Sequence, residues 1–305
     1  MVNMKEDIVL ITGATGLIGR NLTGLLLQNG YKVSIFSRKR IDIPGIKVFL
    51  WNPDKGEADE EAVKTSDYIV HLAGTNIAGK RWTAAQKEEI FRSRIGSGML
   101  LLKMARETGS NIKAFITASG INYYGTLTSE KIFSESDPPA SDFLGRICKV
   151  WEETADEFAK LGSRSVKIRT AIALSERGGI LEKMAASASL GVTPVFGSGR
   201  QYMPWIHIDD LCRIYLKAVS DPVMQGAYNA VAPEHVTNRE FMKTLAEARN
   251  KPLIAPPVPA AILKLAFGEM AGLLLEGSRM SSEKIRQTGF EFRYPLLKEA
   301  FNDLI

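Results

Sequence analysis

A glycine-rich segment near the start of the chain constrains the fold more than any other feature. Gly13, Gly16 and Gly19 follow the short apolar run 8–11, which suits a buried parallel strand. Residues 17–29 then place apolar side chains at helical spacing and stop before Gly30. Because a glycine turn between strand and helix brings backbone N–H groups close to an anion, the segment predicts a dinucleotide-binding turn.

The candidate cofactor-binding residues lie in this turn and at the carboxyl ends of neighbouring predicted strands. In an open parallel sheet, those strand ends line the ligand crevice. The candidates are Gly13, Thr15, Gly16, Leu17, Ile18, Gly19, Ser37, Arg38, Lys39, Leu72, Ala73, Gly74 and Thr117.

The end of the second predicted strand indicates which cofactor is bound. Chains that select NAD usually carry an acid about 20 residues beyond the glycines, where it holds the ribose 2′-hydroxyl. Here the strand is followed by Ser37, Arg38, Lys39 and Arg40, with no acid before Asp42. A guanidinium can pair with a 2′-phosphate that a carboxylate would repel, so the sequence favours NADP(H) over NAD(H). The alternative interpretation is a solvated basic loop.

Composition narrows the class of protein and its partners. The chain has 305 residues and a net charge of +5, with its charges interspersed, so nucleic acid is not an expected partner. Two isolated cysteines and three distant histidines predict no disulfide framework and no metal site. There is no signal-peptide pattern, and the most hydrophobic stretch, 253–275, contains prolines and charges. We therefore expect a cytoplasmic protein with a small-molecule substrate and no membrane partner; its oligomeric state stays open.

Strand-like and helical patterns alternate along the first part of the chain. The strand-like runs are 8–12, 33–36, 48–51, 68–72, 114–118 and 166–174, and the long helical patterns are 84–108 and 145–161. This alternation predicts an α/β fold with a doubly wound parallel sheet, the Rossmann fold. We expect a cofactor domain over 1–174. A smaller C-terminal substrate-binding lobe over 175–305 would include a further strand at 227–231, and strands from it are free to return to the main sheet.

Several motifs together resemble the extended short-chain dehydrogenase/reductase superfamily. They are the glycine turn, the segment 67–74 that ends Leu-Ala-Gly, and the segment 205–211 that reads Trp-Ile-His-Ile-Asp-Asp-Leu. Segments 117–125, 143–152, 274–277 and 289–295 are similar to NAD(P)-dependent epimerase-family proteins of the bacterial YfcH type, sometimes labelled SulA-type cell-division inhibitors. The resemblance covers nearly the whole chain and implies an epimerase or oxidoreductase with a family-specific C-terminal segment. No residue supports a role in cell division.

The resemblance places the reacting centre at Ser119 but departs from the superfamily at the catalytic base. Ser119 ends the fifth predicted strand, where it would hydrogen-bond a carbonyl or hydroxyl of the substrate; a capping serine is the alternative. The superfamily uses a Tyr-x-x-x-Lys pair, and at that spacing this chain has Leu144 and Cys148. Tyr124 is a candidate acid/base, against a role in packing.

The substrate pocket is predicted between the loop after the fourth strand and the C-terminal lobe. The candidate residues are Asn76, Arg81, Trp82, Arg94, Trp205 and His207. Their amide, cations and indole suit an anionic, partly planar ligand, whereas solvated or structural roles are the alternatives. Sugar-nucleotide members of the superfamily carry an Arg for the diphosphate at the position where this chain has Met203, so nucleotide sugars are not expected.

Two functions from different classes follow. The first is an NADP(H)-dependent oxidoreductase or epimerase-like enzyme that acts on an unidentified small molecule through an atypical active site. The second is a non-catalytic NADP(H)-binding sensor or regulatory protein. Hydride chemistry distinguishes them, since a sensor retains NADPH without consuming it.

Overall fold

A computed structural model describes residues 6–189, 193–250 and 257–305. Its largest element is an eight-stranded sheet. With strands numbered along the whole chain, this sheet contains β1 (Ile8–Thr12), β2 (Lys32–Ser37), β3 (Lys47–Asn52), β4 (Glu57–Ala58), β5 (Tyr68–His71), β6 (Ala114–Gly120), β8 (Arg164–Thr170) and β11 (Gly226–Ala230). Two small sheets pair β7 (Ser129–Phe133) with β12 (Ser278–Met280), and β9 (Ile172–Leu174) with β10 (Trp205–His207).

The helices follow the alternation that the sequence predicts. They are α1 (Leu17–Gln28), α2 (Glu61–Lys64), α3 (Ala84–Thr108), α4 (Phe143–Ala159), α5 (Gly179–Ser189), α6 (Ile208–Ser220), α7 (Asn238–Ala248), α8 (Ala260–Phe267), α9 (Gly272–Leu275), α10 (Glu283–Gln287) and α11 (Leu297–Leu304), with short 3-10 helices at Ile121–Tyr124 and Gly268–Ala271. Side chains at the N-caps set several starts: Thr83 for α3, Asp142 for α4 and Thr237 for α7 each accept a hydrogen bond from the first turn. No helix in the described ranges is long and apolar enough to cross a membrane.

The strand order locates the ligand crevice. The sheet runs β11-β8-β6-β5-β1-β2-β3-β4 and is parallel throughout except between β3 and β4. After β1, the chain adds β2 and β3 on one side of that strand. It then crosses to β5 on the other side of β1 and adds β6, β8 and β11 in the opposite direction. Ligands bind at such a reversal, outside the carboxyl ends of the two central strands. Here those ends are Thr12 of β1 and His71 of β5.

Helices cover both faces of the sheet, as a doubly wound fold requires. On one face α1 and α6 pack together and bury Leu22, Leu26, Leu211 and Ile214 against the strands. On the other, α2, α3 and α4 bury a second cluster that includes the stacked rings of Phe115 and Phe158. The predicted Rossmann fold is confirmed.

The chain after residue 174 is divided between the sheet and a smaller lobe. Helix α6 packs on the sheet, and β11 pairs in parallel with β8 from Gly226↔Val166 to Ala230↔Thr170. The chain after residue 174 therefore returns a strand to the main sheet, as the division expected at that residue had left open. The lobe itself has its own apolar core from α5, α7 and α11, with Trp205 of β10 at its centre.

Several predicted bounds differ from the structure by one or two residues, and in two elements a contact explains the difference. Helix α4 begins at Phe143 rather than Gly145, because Asp142 caps it. The predicted strand 166–174 is two strands, β8 and β9, which separate at Ala171. There the main chain changes partners: Ala171 N donates to Ala230 O at 3.1 Å, and Ile172 N donates to Pro204 O at 3.1 Å.

Candidate active site

The glycine turn has the tight geometry of an anion cradle. Gly13 has a positive φ of +70°, and a Cβ there would lie 2.9 Å from the backbone carbon of Leu72. A Cβ on Gly19 would lie 2.3 Å from the carbonyl oxygen of Gly13, so only glycine lets the turn close on the helix. Gly16 is the N-cap of α1 and supplies no side-chain acceptor, and the first turn has no acid. The first N–H groups of α1 are thus available to an anion.

The basic segment after β2 lies in the open. Ser37 closes a short turn, its Oγ donating to Lys39 O at 2.7 Å and accepting from Lys39 N at 3.2 Å. Arg38, Lys39 and Arg40 are exposed, and none of the three forms an ion pair with another described residue. Their charges are therefore available to a phosphate.

A buried histidine helps to hold residues 72–73, which lie against the glycine turn. Thr12 Oγ1 accepts from the backbone N–H groups of 72–73 (3.1 and 3.2 Å), so its own proton goes to His71 Nδ1 at 2.8 Å. Ser97 Oγ donates to Ser93 O at 2.7 Å and so accepts from His71 Nε2 at 3.2 Å. His71 is therefore the neutral Nε2–H tautomer, and burial lowers its pKa to about 4.

Ser119 lies at the carboxyl end of β6, hydrogen-bonded within a buried polar cluster. Its Oγ donates to Glu152 Oε1 at 2.7 Å. Glu152 on α4 is in turn held by Arg169 on β8, whose Nε and Nη2 each donate to the carboxylate at 2.8 Å. Burial opposes the charge on Arg169, but its hydrogen bonds and ion pair with Glu152 raise its pKa. Since a carboxylate paired with an arginine accepts, the Ser119 hydroxyl donates its one proton to Glu152, and its oxygen is left to accept from a ligand. Of the two expected partners of Ser119, this arrangement favours a hydroxyl over a carbonyl.

Tyr124 does not have the free phenol that an acid/base needs. Its ring is 2% exposed, its hydroxyl donates to Asn229 Oδ1 at 2.7 Å, and it accepts from Arg169 Nη1 at 2.8 Å. Burial raises its pKa further above the usual value. Both hydrogen-bonding positions are taken, so the prediction of Tyr124 as a catalytic residue is corrected to a structural one. The neighbouring Tyr123 is half-buried, with its ring 3.4 Å from the Arg169 guanidinium carbon.

The structure shows what occupies the place of a Tyr–Lys pair. Leu144 and Cys148 both face inward from α4, and a Cβ on Gly120 would lie 3.7 Å from Cys148 Sγ. Burial raises the pKa of the Cys148 thiol to about 11, so it is not an activated thiolate. Lys149, one residue along, points to solvent beside Glu153 at 3.7 Å. No lysine of α4 reaches Ser119.

The loop after β5 is held at one side of the crevice. Trp82 Nε1 donates to Ile77 O at 2.8 Å and its ring meets Phe143 edge-on at 5.2 Å, so the indole fastens the loop to α4. Asn76 is exposed, and its Oδ1 accepts from Ala78 N at 2.9 Å, so its amide N–H₂ is the group left to donate. Arg81 is exposed and lies against Gly268 of the C-terminal segment, where a Cβ would be 2.9 Å from Arg81 Nε.

Two predicted substrate residues lie elsewhere. Trp205 is 0% exposed in the core of the small lobe, so it cannot contact a ligand without repacking that core. His207 is buried as the N-cap of α6: its Nδ1 accepts from Asp209 N at 3.1 Å and its ring stacks on Tyr294 at 3.8 Å. We therefore withdraw both from the substrate pocket.

Sequence reasoning missed the groups that hold the site together. Thr12, Glu152 and Arg169 are buried polar residues. Thr12 gave a signal, as the polar end of an otherwise apolar strand, whereas Glu152 and Arg169 lie in elements that carry several other charges. Met203, at the expected diphosphate position, is 8% exposed and its Sδ accepts from Asn238 Nδ2 at 3.1 Å, which leaves no role at a ligand. Across the described ranges, no three His, Cys, Asp or Glu side chains form a cluster that could hold a metal ion.

The sheet reversal, the glycine cradle and the basic loop define a dinucleotide-binding protein of the doubly wound class. The comparisons specify this further: the chain belongs to the NAD-dependent epimerase/dehydratase family, whose model matches residues 9–231. A second model, a domain of unknown function (DUF1731), matches residues 258–304. The site is thus one for a nicotinamide dinucleotide.

Relatives resemble the chain over almost its entire length. An epimerase family protein of Mycobacterium bovis is 35% identical, covering 97% of each chain. The epimerase family protein SDR39U1 of Mus musculus is 34% identical, covering 97% of this chain and 99% of the relative. The crystal structure of human SDR39U1 (isoform 2) with NADPH superposes with a TM-score of 0.85 at 31% identity, covering 97% and 98% of the two chains.

Proposed function

We propose that the chain is an NADP(H)-dependent oxidoreductase or epimerase-like enzyme of the YfcH-type subgroup. The observation that carries this proposal is the combination of a glycine cradle closed by Gly13 and Gly19 with an unpaired basic loop at the end of β2. Arg38 and Lys39 would bind the 2′-phosphate while Ser37 holds their turn, and Thr15 with residues 16–19 would meet the diphosphate. The NADPH in the crystal structure of the human relative supports the choice of cofactor.

The residues at the strand ends would position the reacting end of the cofactor. Leu72, Ala73 and Gly74 follow β5, held by Thr12 and His71, and Thr117 lies in β6 on the way to Ser119. The cofactor, when bound, supplies hydride chemistry. Ser119, whose proton is committed to Glu152, would accept a hydrogen bond from a hydroxyl of the substrate or cofactor.

The substrate would be a small molecule that enters beside the loop after β5. Asn76, Arg81 and Arg94 offer polar groups there, while Trp82 holds the loop in place. Because Met203 is buried where a diphosphate-binding Arg would be needed, nucleotide sugars are poor candidates. Nucleic acid and membrane are not proposed partners, and a cytoplasmic location fits the two free cysteines.

A second function, a non-catalytic NADP(H) sensor, is favoured by one observation. The hydroxyls of Ser119 and Tyr124 are both bonded to protein groups, so neither is a ready proton donor to a substrate. A sensor would bind NADP(H) in the glycine cradle without catalysing hydride transfer.

Hydride transfer separates the two functions. The purified chain is saturated with NADPH, a panel of small aldehydes, ketones and keto acids is added, and the loss of nicotinamide absorbance is followed. The enzyme proposal predicts oxidation by at least one member of the panel. It also predicts that Ser119→Ala abolishes turnover while NADPH affinity stays as in the parent, with the surface variant Ser136→Ala as control. Retention of NADPH without oxidation across the panel favours the sensor, and a fully active Ser119→Ala variant contradicts the proposed centre.

A further inference from the structure

Two arginines near the crevice have opposite electrostatic surroundings. Arg169 is neutralised by a bidentate pair with Glu152. Arg94, on α3, has only neutral partners: its Nη1 donates to Ile90 O at 3.2 Å and lies 3.5 Å from Ser93 Oγ. No carboxylate in the described part of the chain pairs with Arg94, and burial lowers its pKa to about 10.

Glu89 on α3 and two acids on α4 are engaged elsewhere. Glu89 Oε1 accepts from Thr75 Oγ1 at 3.0 Å. Glu152 is held by Arg169, and Glu153 lies beside Lys149 on the exposed side of α4. Arg94 is half-buried, and even partial removal of a cation from water without a counter-ion is unfavourable, so this arrangement favours a group kept for a ligand.

The guanidinium of Arg94 lies beside the crevice. A Cβ on Gly74, just beyond the carboxyl end of β5, would lie 3.1 Å from the guanidinium carbon. The guanidinium also lies over the indole of Trp151, 5.2 Å from the ring centre, and Trp151 Nε1 is a buried donor without a protein partner among the described residues. The cation–π contact fixes the plane of Arg94 and offsets part of its desolvation, but it supplies no negative charge.

The geometry assigns Arg94 the recognition of an oxyanion, a carboxylate or phosphate, on the substrate. This deepens the proposed function, on which it rests, by naming the chemical class of the substrate: a small organic acid or phosphate. The N-terminus of α1 and the basic loop already offer binding positions for the phosphates of the cofactor. Arg94, on a different element beside Gly74, is therefore available to a second anion.

The test uses Arg94→Gln and, as matched control on the same helix, Arg92→Gln, since Arg92 is exposed and pairs with Asp54 at 3.1 Å. Acetate, oxalate and inorganic phosphate are titrated calorimetrically into NADP⁺-saturated protein at low salt. We expect at least one anion to bind the parent, Arg94→Gln to weaken that binding about ten-fold or more, and Arg92→Gln to leave it unchanged. Arg94→Lys, which keeps the charge without the planar fork, should fall between them.

Two further measurements make each outcome decisive. NADPH affinity of the parent tests the proposed function alone. NADPH affinity of Arg94→Gln should equal that of the parent; a fall of about ten-fold would assign the anion to the cofactor and overturn the substrate assignment.

The thermal unfolding temperature of the cofactor-free Arg94→Gln chain should be unchanged or higher, because an uncompensated cation is removed. A clear loss of stability, or equal anion binding by both glutamine variants, or no anion binding by the parent, would also overturn the proposal.

Discussion

Acidification should destabilise this chain in part by protonating His71, and a single substitution of His71 separates this effect from the others. The folded chain keeps the imidazole neutral down to its pKa of about 4, whereas the unfolded chain takes up a proton near the ordinary value of 6.5. Between these values the unfolded state binds more protons, so the free energy of unfolding falls as the pH falls. The contribution of neutral His71 to the free energy of unfolding is present in full above pH 6.5 and is lost as the pH approaches 4. The full difference between the two pKa values corresponds to about 3 kcal/mol.

The assay is urea unfolding of the cofactor-free chain, followed by tryptophan fluorescence at neutral pH and at about pH 5, where roughly 2 kcal/mol of the His71 contribution should be gone. His71→Gln is the comparison, because glutamine keeps an acceptor and a donor but does not titrate. The variant should be less stable at neutral pH and should lose less stability on acidification than the parent. His207 and the carboxylates titrate in both proteins, so their effects on stability cancel in the comparison. Parallel loss of stability in both proteins would refute the assignment of His71 as a buried neutral tautomer.

Three further predictions concern the cradle, the buried cluster and the substrate. Gly19→Ala should weaken NADPH binding at least ten-fold by fluorescence titration, since its Cβ would lie 2.3 Å from Gly13 O; unchanged affinity would contradict the cradle. Tyr124→Phe should lower the free energy of unfolding by about 1–3 kcal/mol, because Arg169 and Asn229 each lose a buried partner, whereas Tyr123→Phe should change it less; equal losses would refute the structural role of Tyr124. Calorimetry of UDP- and GDP-sugars against the NADP⁺-bound chain should detect no tight binding, and a micromolar dissociation constant would restore the sugar-epimerase interpretation.

The geometry of the glycine turn was predictable from sequence because its determinants are local. The glycine spacing, the strand before it and the helix after it are all within one short stretch, and Gly13 and Gly19 are required by contacts with residue 72 and within the turn. The basic loop after β2 is equally local. The fold class followed from the alternation of strand and helix patterns for the same reason.

The chemistry of Ser119 was not predictable in this way. Its partner Glu152 and the ion pair with Arg169 are contributed by α4 and β8, and no spacing in the sequence indicates that these three side chains meet. The prediction for Trp205 was wrong for a related reason: the residue begins β10, which pairs with β9, and its side chain faces the core of the small lobe. The sequence left open whether the strand predicted at 227–231 returns to the main sheet, and the tertiary pairing of β11 with β8 shows that it does.

The preference between the two nicotinamide cofactors tests the central claim most directly. NADPH and NADH are titrated against the parent chain, Arg38→Asp, and the charge-matched control Lys243→Asp in the small lobe, with nicotinamide fluorescence as the readout. NADPH should bind the parent more tightly than NADH, and Arg38→Asp should weaken NADPH binding by about 2 kcal/mol while leaving NADH little changed. Lys243→Asp should alter neither. Equal dissociation constants for the two cofactors in the parent would contradict the account.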